Sequence, residues 1–336
     1  MKDRYSRQIL FRSIGEEGQN HIGNKHVLVI GAGALGTANA EGLVRAGIGK
    51  LTIIDRDYVE VSNLQRQQLY AEQDAIDQLP KAVAAKKRLN KINSEVEIEA
   101  LVMDVDPTNL VPLLRDVDVA LDATDNFTIR FIMNDLYQKY DIPWIFGSCV
   151  GSVGMSYTIL PGESPCLSCL LQAAPMSGAT CDSVGIISPA VQMVAAHQTT
   201  EALKLLVEDQ KALRSQLVTF DLWHNHYQTI NVKRAKRADC PTCGENPTYP
   251  NLSYESQTKV AVLCGRDTVQ IRADREFSLD DLAARLQHVG DIKRNPFLLS
   301  IEYKSFRLVF FRDGRTLIHG TSSIEQAKSV YYQLVG

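Results

Sequence analysis

The stretch Val27-Leu28-Val29-Ile30-Gly31-Ala32-Gly33-Ala34-Leu35-Gly36 decides the fold. Its four leading apolar residues predict a short buried strand, and the G-x-G-x-x-G pattern after them predicts a tight turn into a helix over residues 35–46. A second strand, predicted at residues 51–55, ends in Asp55. In such a βαβ unit the amides at the helix start face a phosphate, and the acid accepts hydrogen bonds from ribose hydroxyls.

The glycine motif has two other interpretations. It occurs in tight strand–helix turns that bind nothing, and it is the default signature of an NAD-dependent oxidoreductase. Residues 57–67 argue against the oxidoreductase, because their amide and guanidinium side chains suit a polyphosphate better than a nicotinamide ring. We therefore predict a nucleotide site shaped by Gly31, Gly33 and Gly36, with Asp55 on the ribose.

Strands and helices keep alternating up to residue 148, with helices predicted at residues 81–92 after Pro80 and near 108–114. This order predicts an α/β protein with a Rossmann-like, mostly parallel sheet. From residue 155 the pattern changes to one strand, a long helix at 189–208 and an antiparallel ribbon. Residues 246–258 are polar and contain two prolines, so we interpret them as a linker. The predicted domains are therefore residues 1–245 and a small α+β module at residues 259–336.

Two C-x-x-C pairs flank the antiparallel ribbon, namely Cys166 with Cys169 and Cys240 with Cys243. Two such pairs can close one tetrahedral thiolate site, so we predict a structural Zn²⁺ that staples the antiparallel extension. Disulfides and unpaired core thiols are the alternatives. Seven cysteines without a secretion signal favour a reducing, cytoplasmic compartment.

Composition limits the partners. The formal net charge of -3 gives no general attraction to nucleic acid or to an anionic membrane. No apolar run reaches the roughly 18 residues that span a bilayer. We therefore expect neither nucleic-acid binding nor membrane insertion.

Five motifs occur in a recognisable order, and together with the two cysteine pairs they resemble the ThiF/MoeB enzymes, bacterial relatives of the ubiquitin-activating enzymes. The resemblance covers about residues 1–245. The motifs are R-Y-S-R-Q-I-L at 4–10, the glycine loop, S-N-L-Q-R-Q at 62–67, P-K at 80–81 and D-A-T-D-N at 122–126.

The resemblance implies an ATP-dependent adenylyltransferase, a nucleotidyltransferase that adenylylates the C-terminal glycine carboxylate of a ubiquitin-like sulfur-carrier protein and releases pyrophosphate. A ThiS-type carrier of thiamine thiazole biosynthesis is preferred to a MoaD-type carrier of molybdopterin synthesis. It also implies a carrier ending in Gly-Gly, a cysteine desulfurase as possible sulfur donor, and a homodimer.

The same resemblance assigns roles to residues. It implies that Asn63, Arg66 and Lys81 hold the ATP phosphates, that Asp125 holds Mg²⁺, and that Arg7 reaches into the neighbouring subunit's active site. Simpler alternatives exist for Arg7 and Arg66, which could be solvated surface charges, and for Asp125, which could only cap the helix predicted from residue 127. Lys81 opposes the dipole at its helix start, which independently indicates an anionic partner.

Cys181 has no partner spacing. It matches the family cysteine that can take up the activated carrier as a thioester or acyl persulfide, and a buried packing thiol is the alternative. An inactive scaffold that binds a ubiquitin-like protein is a further alternative for the whole chain. It would require loss of the phosphate-binding residues, which are all present.

Overall fold

A computed structural model describes residues 4–173, 184–253, 260–262, 267–273 and 275–335. The chain divides into two compact units. The first comprises the described parts of Met1–Ile76 and Pro80–Ser253, and the second comprises Asp77–Leu79 and the described parts of Tyr254–Gly336. Cys181 lies outside the described residues. In the described part of the chain, no helix combines the length and the apolar character needed to cross a membrane.

The first unit contains one eight-stranded sheet in the order β3-β2-β1-β4-β5-β6-β7-β8. The first five strands of that order pair in parallel and the last three are added antiparallel. This confirms the predicted fold class. The strands are β1 (His26–Ile30), β2 (Lys50–Asp55), β3 (Glu97–Val102), β4 (Val119–Asp122), β5 (Trp144–Val150), β6 (Val153–Ile159), β7 (Gln216–Asp221) and β8 (His226–Asn231).

The helices of this unit cover the sheet because alternate strand residues point to opposite faces. Leu28 and Ile30 of β1 pack in one core with Met133 and Tyr137. The α-helices of the described residues are α1 (Ser6–Ile9), α2 (Gly15–Ile22), α3 (Ala34–Ala46), α4 (Glu72–Ile76), α5 (Lys81–Ile92), α6 (Pro107–Leu110), α7 (Phe127–Lys139), α8 (Leu167–Ala173) and α9 (Ser188–Leu206).

Two helical segments of the structure differ from the sequence analysis. The helix expected at 108–114 is α6 followed by a 3-10 turn, Val111–Leu114, because Pro112 has no amide hydrogen to continue the α-helical pattern. Helix α8, which begins inside the first C-x-x-C pair, was not predicted. The C-x-x-C pattern indicates only a pair of metal ligands, and a helix of seven residues is too short to show helical periodicity in the sequence.

In its described residues, the second unit is an antiparallel sheet in the order β11-β12-β13-β14-β10-β9, packed with two helices. Ser278 caps the first helix by accepting a hydrogen bond from the Asp281 amide, as its capping spacing predicts. Its elements are β9 (Val260–Val262), β10 (Thr268–Arg272), α10 (Leu279–Leu286), β11 (Ile292–Arg294), β12 (Leu298–Tyr303), β13 (Phe306–Phe311), β14 (Arg315–His319) and α11 (Ile324–Val335).

Candidate nucleotide site and cysteine cluster

The glycine loop lies at the point where the strand order of the parallel sheet reverses. Strands β1 and β4 are neighbours, yet the chain runs from β1 to β2 on one side before it returns to β4 on the other. The Ala123 amide donates to the Ile30 carbonyl at 2.9 Å, which joins the two loops that leave these strands. Open α/β sheets bind their ligands in the crevice at this position.

The three glycines of the loop differ in what surrounds them. Gly31 has a φ of +98°, and a Cβ there would lie 2.5 Å from the Ala123 carbonyl oxygen. A Cβ on Gly36 would overlap the Gly31 carbonyl oxygen. Around Gly33 there is space, since a Cβ there would only meet Gln67 Nε2 at 3.9 Å. Gly31 and Gly36 are thus required by packing, whereas Gly33 leaves room for a phosphate at the start of α3.

Asp55 ends β2 beside this loop. Its Oδ2 accepts from the Ala32 amide at 2.6 Å and its Oδ1 from the Asp57 amide at 2.6 Å. Burial raises the pKa of Asp55 above its ordinary value, although the Lys81 charge and the two amides oppose this. Each carboxylate oxygen keeps an accepting position, so the group can still take hydrogen bonds from ribose hydroxyls.

Lys81 begins α5 and is 4% exposed. Its ammonium lies 3.6 Å from Asp57 Oδ2, so the anion expected near this lysine is partly supplied by the protein. The Tyr70 hydroxyl donates to the Ala32 carbonyl at 2.6 Å and lies 3.1 Å from the Lys81 carbonyl. Tyr70 therefore ties the start of α5 to the glycine loop, a role that the sequence did not indicate.

Asn63 and Arg66 lie in the segment that connects β2 to α4. Asn63 is buried, and its Oδ1 accepts from the Glu60 amide at 3.1 Å, which closes a capping box. Arg66 is half-buried, and its Nη1 donates to the Ser62 carbonyl at 2.8 Å. It makes no ion pair with any carboxylate in the described part of the chain. A guanidinium so placed remains able to bind an anion.

Asp125 is exposed at the start of α7. Asn126, not Asp125, caps this helix by accepting from the amides of Thr128 and Ile129, so the capping alternative for Asp125 is wrong. An exposed carboxylate not used as a cap offers the oxygen ligands that Mg²⁺ prefers.

Arg56 and Arg7 differ in their relation to this edge of the sheet. Burial lowers the pKa of the Arg56 guanidinium, but the charges of Asp104, Asp57 and Asp125 outweigh it and raise the pKa. This interaction places Asp125 on the same edge as Asp57. Arg7, on α1, is exposed and pairs with no described acid. No hydrogen bond or ion pair within the described ranges joins Arg7 to the glycine loop.

A buried clamp holds the loop after β4. Arg130 Nε donates to Asp122 Oδ2 at 2.8 Å, and its Nη2 donates to the carbonyls of Thr124 and Gly147 at 2.6 and 2.9 Å. Gln198 of α9 adds hydrogen bonds to the carbonyls of Asp122 and Ile145 at 2.7 and 3.0 Å. Sequence reasoning missed both side chains, because four of these five hydrogen bonds go to backbone carbonyls, which leave no trace in the sequence.

The four predicted metal ligands come together. The sulfur atoms of Cys166, Cys169, Cys240 and Cys243 all lie within 4.8 Å of one another, and three of the residues are buried. Cys166 Sγ is 3.7 Å from Cys240 Sγ, and Cys169 Sγ is 3.6 Å from Cys243 Sγ. Zn–S bonds of about 2.3 Å in a tetrahedron put sulfurs about 3.8 Å apart, so the cluster fits Zn²⁺.

Asp135 of α7 supports the cluster. Its carboxylate is fully buried and accepts three hydrogen bonds: from Thr242 Oγ1 at 2.6 Å, and from the backbone and side-chain amides of Asn251 at 2.9 Å each. Thr242 lies between the two cysteines of the second pair. Helix α7 therefore holds the second C-x-x-C pair in place through the hydrogen bond between Asp135 and Thr242.

Comparison with known proteins agrees with this architecture. A model described as the ThiF family matches residues 5–242. The chain is 52% identical to the Sulfur carrier protein ThiS adenylyltransferase of Bacillus subtilis, with 100% of both chains covered. It is 36% identical to the Sulfur carrier protein adenylyltransferase of Thermus thermophilus, over 76% of this chain and 95% of that one.

Among solved structures, E. coli MccB with ATP has a TM-score of 0.63 at 22% identity, covering 73% of this chain and 75% of that chain. A likeness at this identity concerns the fold alone. The match to the family model takes in the glycine loop and three of the four clustered cysteines, and the similarity to the Bacillus subtilis relative extends to both ends of the chain. The chain belongs to the ThiF family.

Proposed function

We propose that this protein adenylylates the C-terminal glycine carboxylate of a ThiS-type sulfur-carrier protein, with ATP as the nucleotide donor and pyrophosphate as the product. The observation that carries the proposal is the open space over Gly33, in a loop whose Ala32 amide donates to Asp55, together with the buried ammonium of Lys81, whose charge acts on that carboxyl. The full-length similarity to a relative named for ThiS supports that carrier over a MoaD-type carrier.

The reaction needs charge stabilisation more than it needs a nucleophilic side chain. A carboxylate oxygen of the carrier attacks the α-phosphorus, forming an acyl–phosphate bond, and the bond from the α-phosphorus to the bridging oxygen breaks. That electron pair leaves with pyrophosphate. The carboxylate is already ionised near neutral pH, so no general base is required. Fixed cations that face the departing charge lower the barrier, and positioning supplies much of the rest.

The residues divide this work as follows. Asp55 binds the ribose, while Asn63, Arg66 and Lys81 hold the phosphates. Asp125 offers a carboxylate to Mg²⁺, which when bound neutralises phosphate charge. The exposure of Arg7 agrees with a role in a neighbouring subunit, and we propose a homodimer on that basis.

The cysteine cluster has a structural role in this proposal. Four thiolates fill the coordination of Zn²⁺, so no position is left for a substrate. Cys181 would act later: its thiolate would attack the acyl carbon of the acyl adenylate, forming a thioester as the bond to AMP breaks and AMP leaves, before sulfur arrives from a donor such as a cysteine desulfurase. Free thiols of this kind favour the cytoplasm.

An ATP–pyrophosphate exchange assay tests the proposal. Labelled pyrophosphate should enter ATP only when a carrier ending in Gly-Gly is added, and a ThiS-type carrier should support faster exchange than a MoaD-type carrier. Cys181→Ser should leave the exchange intact and impair only the later sulfur transfer. Absence of exchange with both carriers would sink the proposal, and equal rates would remove the preference for ThiS.

A further inference from the structure

The R-Y-S-R-Q segment at residues 4–8 presents its side chains in two directions. Tyr5 and Gln8 are half-buried and hydrogen-bonded to the body of the first unit. Arg7, which lies between them, is exposed and forms no ion pair in the described part of the chain. Inward bonds on both sides of one outward cation are suited to hold that cation in a fixed position.

The C-terminal end of α3 provides the first anchor. Gln8 Nε2 donates to the Ala46 carbonyl at 2.9 Å and to Gln19 Oε1 at 2.7 Å, and Gln19 Nε2 donates to the same carbonyl at 3.0 Å. The Tyr5 ring lies against Gly47, where a Cβ would come within 2.4 Å of the tyrosine Cζ. The last carbonyls of a helix have no partner within the helix, so the two glutamines supply donors that α3 lacks.

The C-terminal end of α5 provides the second anchor. Arg4 Nη1 donates to the Ile92 carbonyl at 2.9 Å. The buried Asn93 donates through Nδ2 to the Tyr5 hydroxyl at 2.8 Å and to the Val44 carbonyl of α3 at 3.0 Å. Asn93 therefore joins the ends of both helices to the segment that carries α1.

These anchors lie at the opposite end of both helices from the nucleotide site of the same chain. The glycine loop leads into the first residue of α3, and Lys81 is the first residue of α5. The helices contain 13 and 12 residues, so each is about 18 to 20 Å long. No side chain spans that distance, so Arg7 can meet the phosphates of a nucleotide only in another copy of the chain.

We propose that Tyr5 and Gln8 are positioning residues, which fix α1 on the C-terminal ends of α3 and α5 and thereby direct Arg7 into the nucleotide site of a second copy of the chain. The inference rests on the proposed function. The two residues touch neither the nucleotide nor the carrier and act through the guanidinium of Arg7. A cation held in place before the reaction stabilises phosphate charge without having to be ordered during it.

Carrier-dependent ATP–pyrophosphate exchange tests the inference. The double variant Tyr5→Leu/Gln8→Met removes both anchors, and displacement of Arg7 should slow exchange by about 100-fold. Arg7→Ala should cause a similar loss, and combining all three changes should add little, because the anchors act through Arg7. The matched control is Asn24→Leu, since Asn24 also donates to a helix carbonyl, that of Asn20 at 2.8 Å. It should leave exchange unchanged.

Mixed dimers separate positioning from damage to the fold. The double variant and Arg66→Ala are co-expressed with different tags and purified on both tags. Each mixed dimer then has one site that combines an intact glycine-loop edge with an intact segment 4–8 from the other copy. About half of the wild-type exchange rate should return, although each variant is slow by itself.

A wild-type rate in the double variant would overturn the inference. So would the full additional loss on adding Arg7→Ala, because the anchors would then act independently of Arg7. Mixed dimers that recover no activity, or tagged chains that do not purify together, would show that no site is shared between copies. If the wild-type protein shows no carrier-dependent exchange, the proposed function itself fails, and that result is distinct because it is seen before any variant is made.

Discussion

The cysteine cluster and the glycine loop are both built from short sequence motifs, but their polar groups are satisfied in opposite ways. Around the cysteines, the buried carboxylate of Asp135 receives three hydrogen bonds from the protein. Around the glycine loop, Arg66 bonds only a backbone carbonyl, Asp125 is exposed and Gln67 Oε1 has no partner among the described residues.

The difference indicates which site is structural and which binds a substrate. A site that has its full set of protein partners stabilises the fold and has little left to offer a ligand. A site with unsatisfied polar groups gives up stability that a bound ligand can restore. Changes at the cysteines should therefore affect folding first, and changes at the glycine loop should affect binding first.

Removal of the metal should have the largest effect. Because a structural zinc contributes directly to folding, Cys240→Ser or a strong chelator should cost a large share of the about 5–15 kcal/mol that stabilises a typical domain. Zinc content measured by mass spectrometry and thermal unfolding followed by circular dichroism check this. Cys149→Ser, outside the cluster, is the matched control. A zinc-free protein that unfolds at the wild-type temperature would contradict the structural assignment.

The buried clamp under the nucleotide site should come next. Asp122→Asn leaves the Arg130 guanidinium buried beside a neutral amide, and breaking a buried pair in this way costs about 3–5 kcal/mol. Urea unfolding measures the loss. The exposed pair of Arg115 with Asp116 is the control, since Arg115→Met should change stability by less than about 1 kcal/mol. Similar effects at both pairs would show that the clamp is not a rigid support.

The unpaired cation should affect catalysis without affecting the fold. Arg66→Ala removes charge stabilisation at the phosphates and should slow carrier-dependent exchange by about 100- to 1,000-fold. Its unfolding temperature should stay at the wild-type value. Arg45, which is exposed and paired with Glu41, provides the control variant Arg45→Ala. Loss of stability in Arg66→Ala would erase the distinction between the two sites.

The sequence predicted the elements that carry periodic or capping signals. Helix α5 runs over Lys81–Ile92, the range expected from the pattern after Pro80. The four cysteines meet as their spacing indicates. In these cases one local signal, such as a proline, a glycine or a C-x-x-C pair, specifies the structure.

Contacts that join distant segments could not be predicted in the same way. Gln198 bonds the carbonyl of Asp122, 76 residues earlier in the chain, and a backbone acceptor leaves no trace in the sequence. The burial of Gln67 next to the exposed Gln68 is equally hidden, because both are glutamines in an irregular turn. The choice between Asp125 and Asn126 as helix cap also needed the backbone geometry.

The smallest expected effect concerns Asp55 and pH. Burial raises the pKa of this carboxyl, so it takes up a proton at a higher pH than the ordinary value of about 3.9. Between the ordinary pKa and the raised pKa, the folded protein binds more protons than the unfolded chain. The contribution of Asp55 to stability therefore falls as the pH rises from the first of these pKa values to the second. Ribose binding should have the opposite dependence, because a protonated carboxyl accepts fewer hydrogen bonds.

Adenosine affinity should therefore weaken as the pH falls from 7.5 to about 5, a range that lies above the ordinary carboxyl pKa. Adenosine isolates the effect, since it has no phosphate that titrates. Calorimetry across this range should give a slope for the wild type and a flat profile for Asp55→Asn. The same slope in both proteins would assign the titration to another group. In that case the glycine-loop edge would have no buried acid adapted to the ribose, and the contrast with the fully satisfied cysteine cluster would rest on Arg66, Asp125 and Gln67 alone.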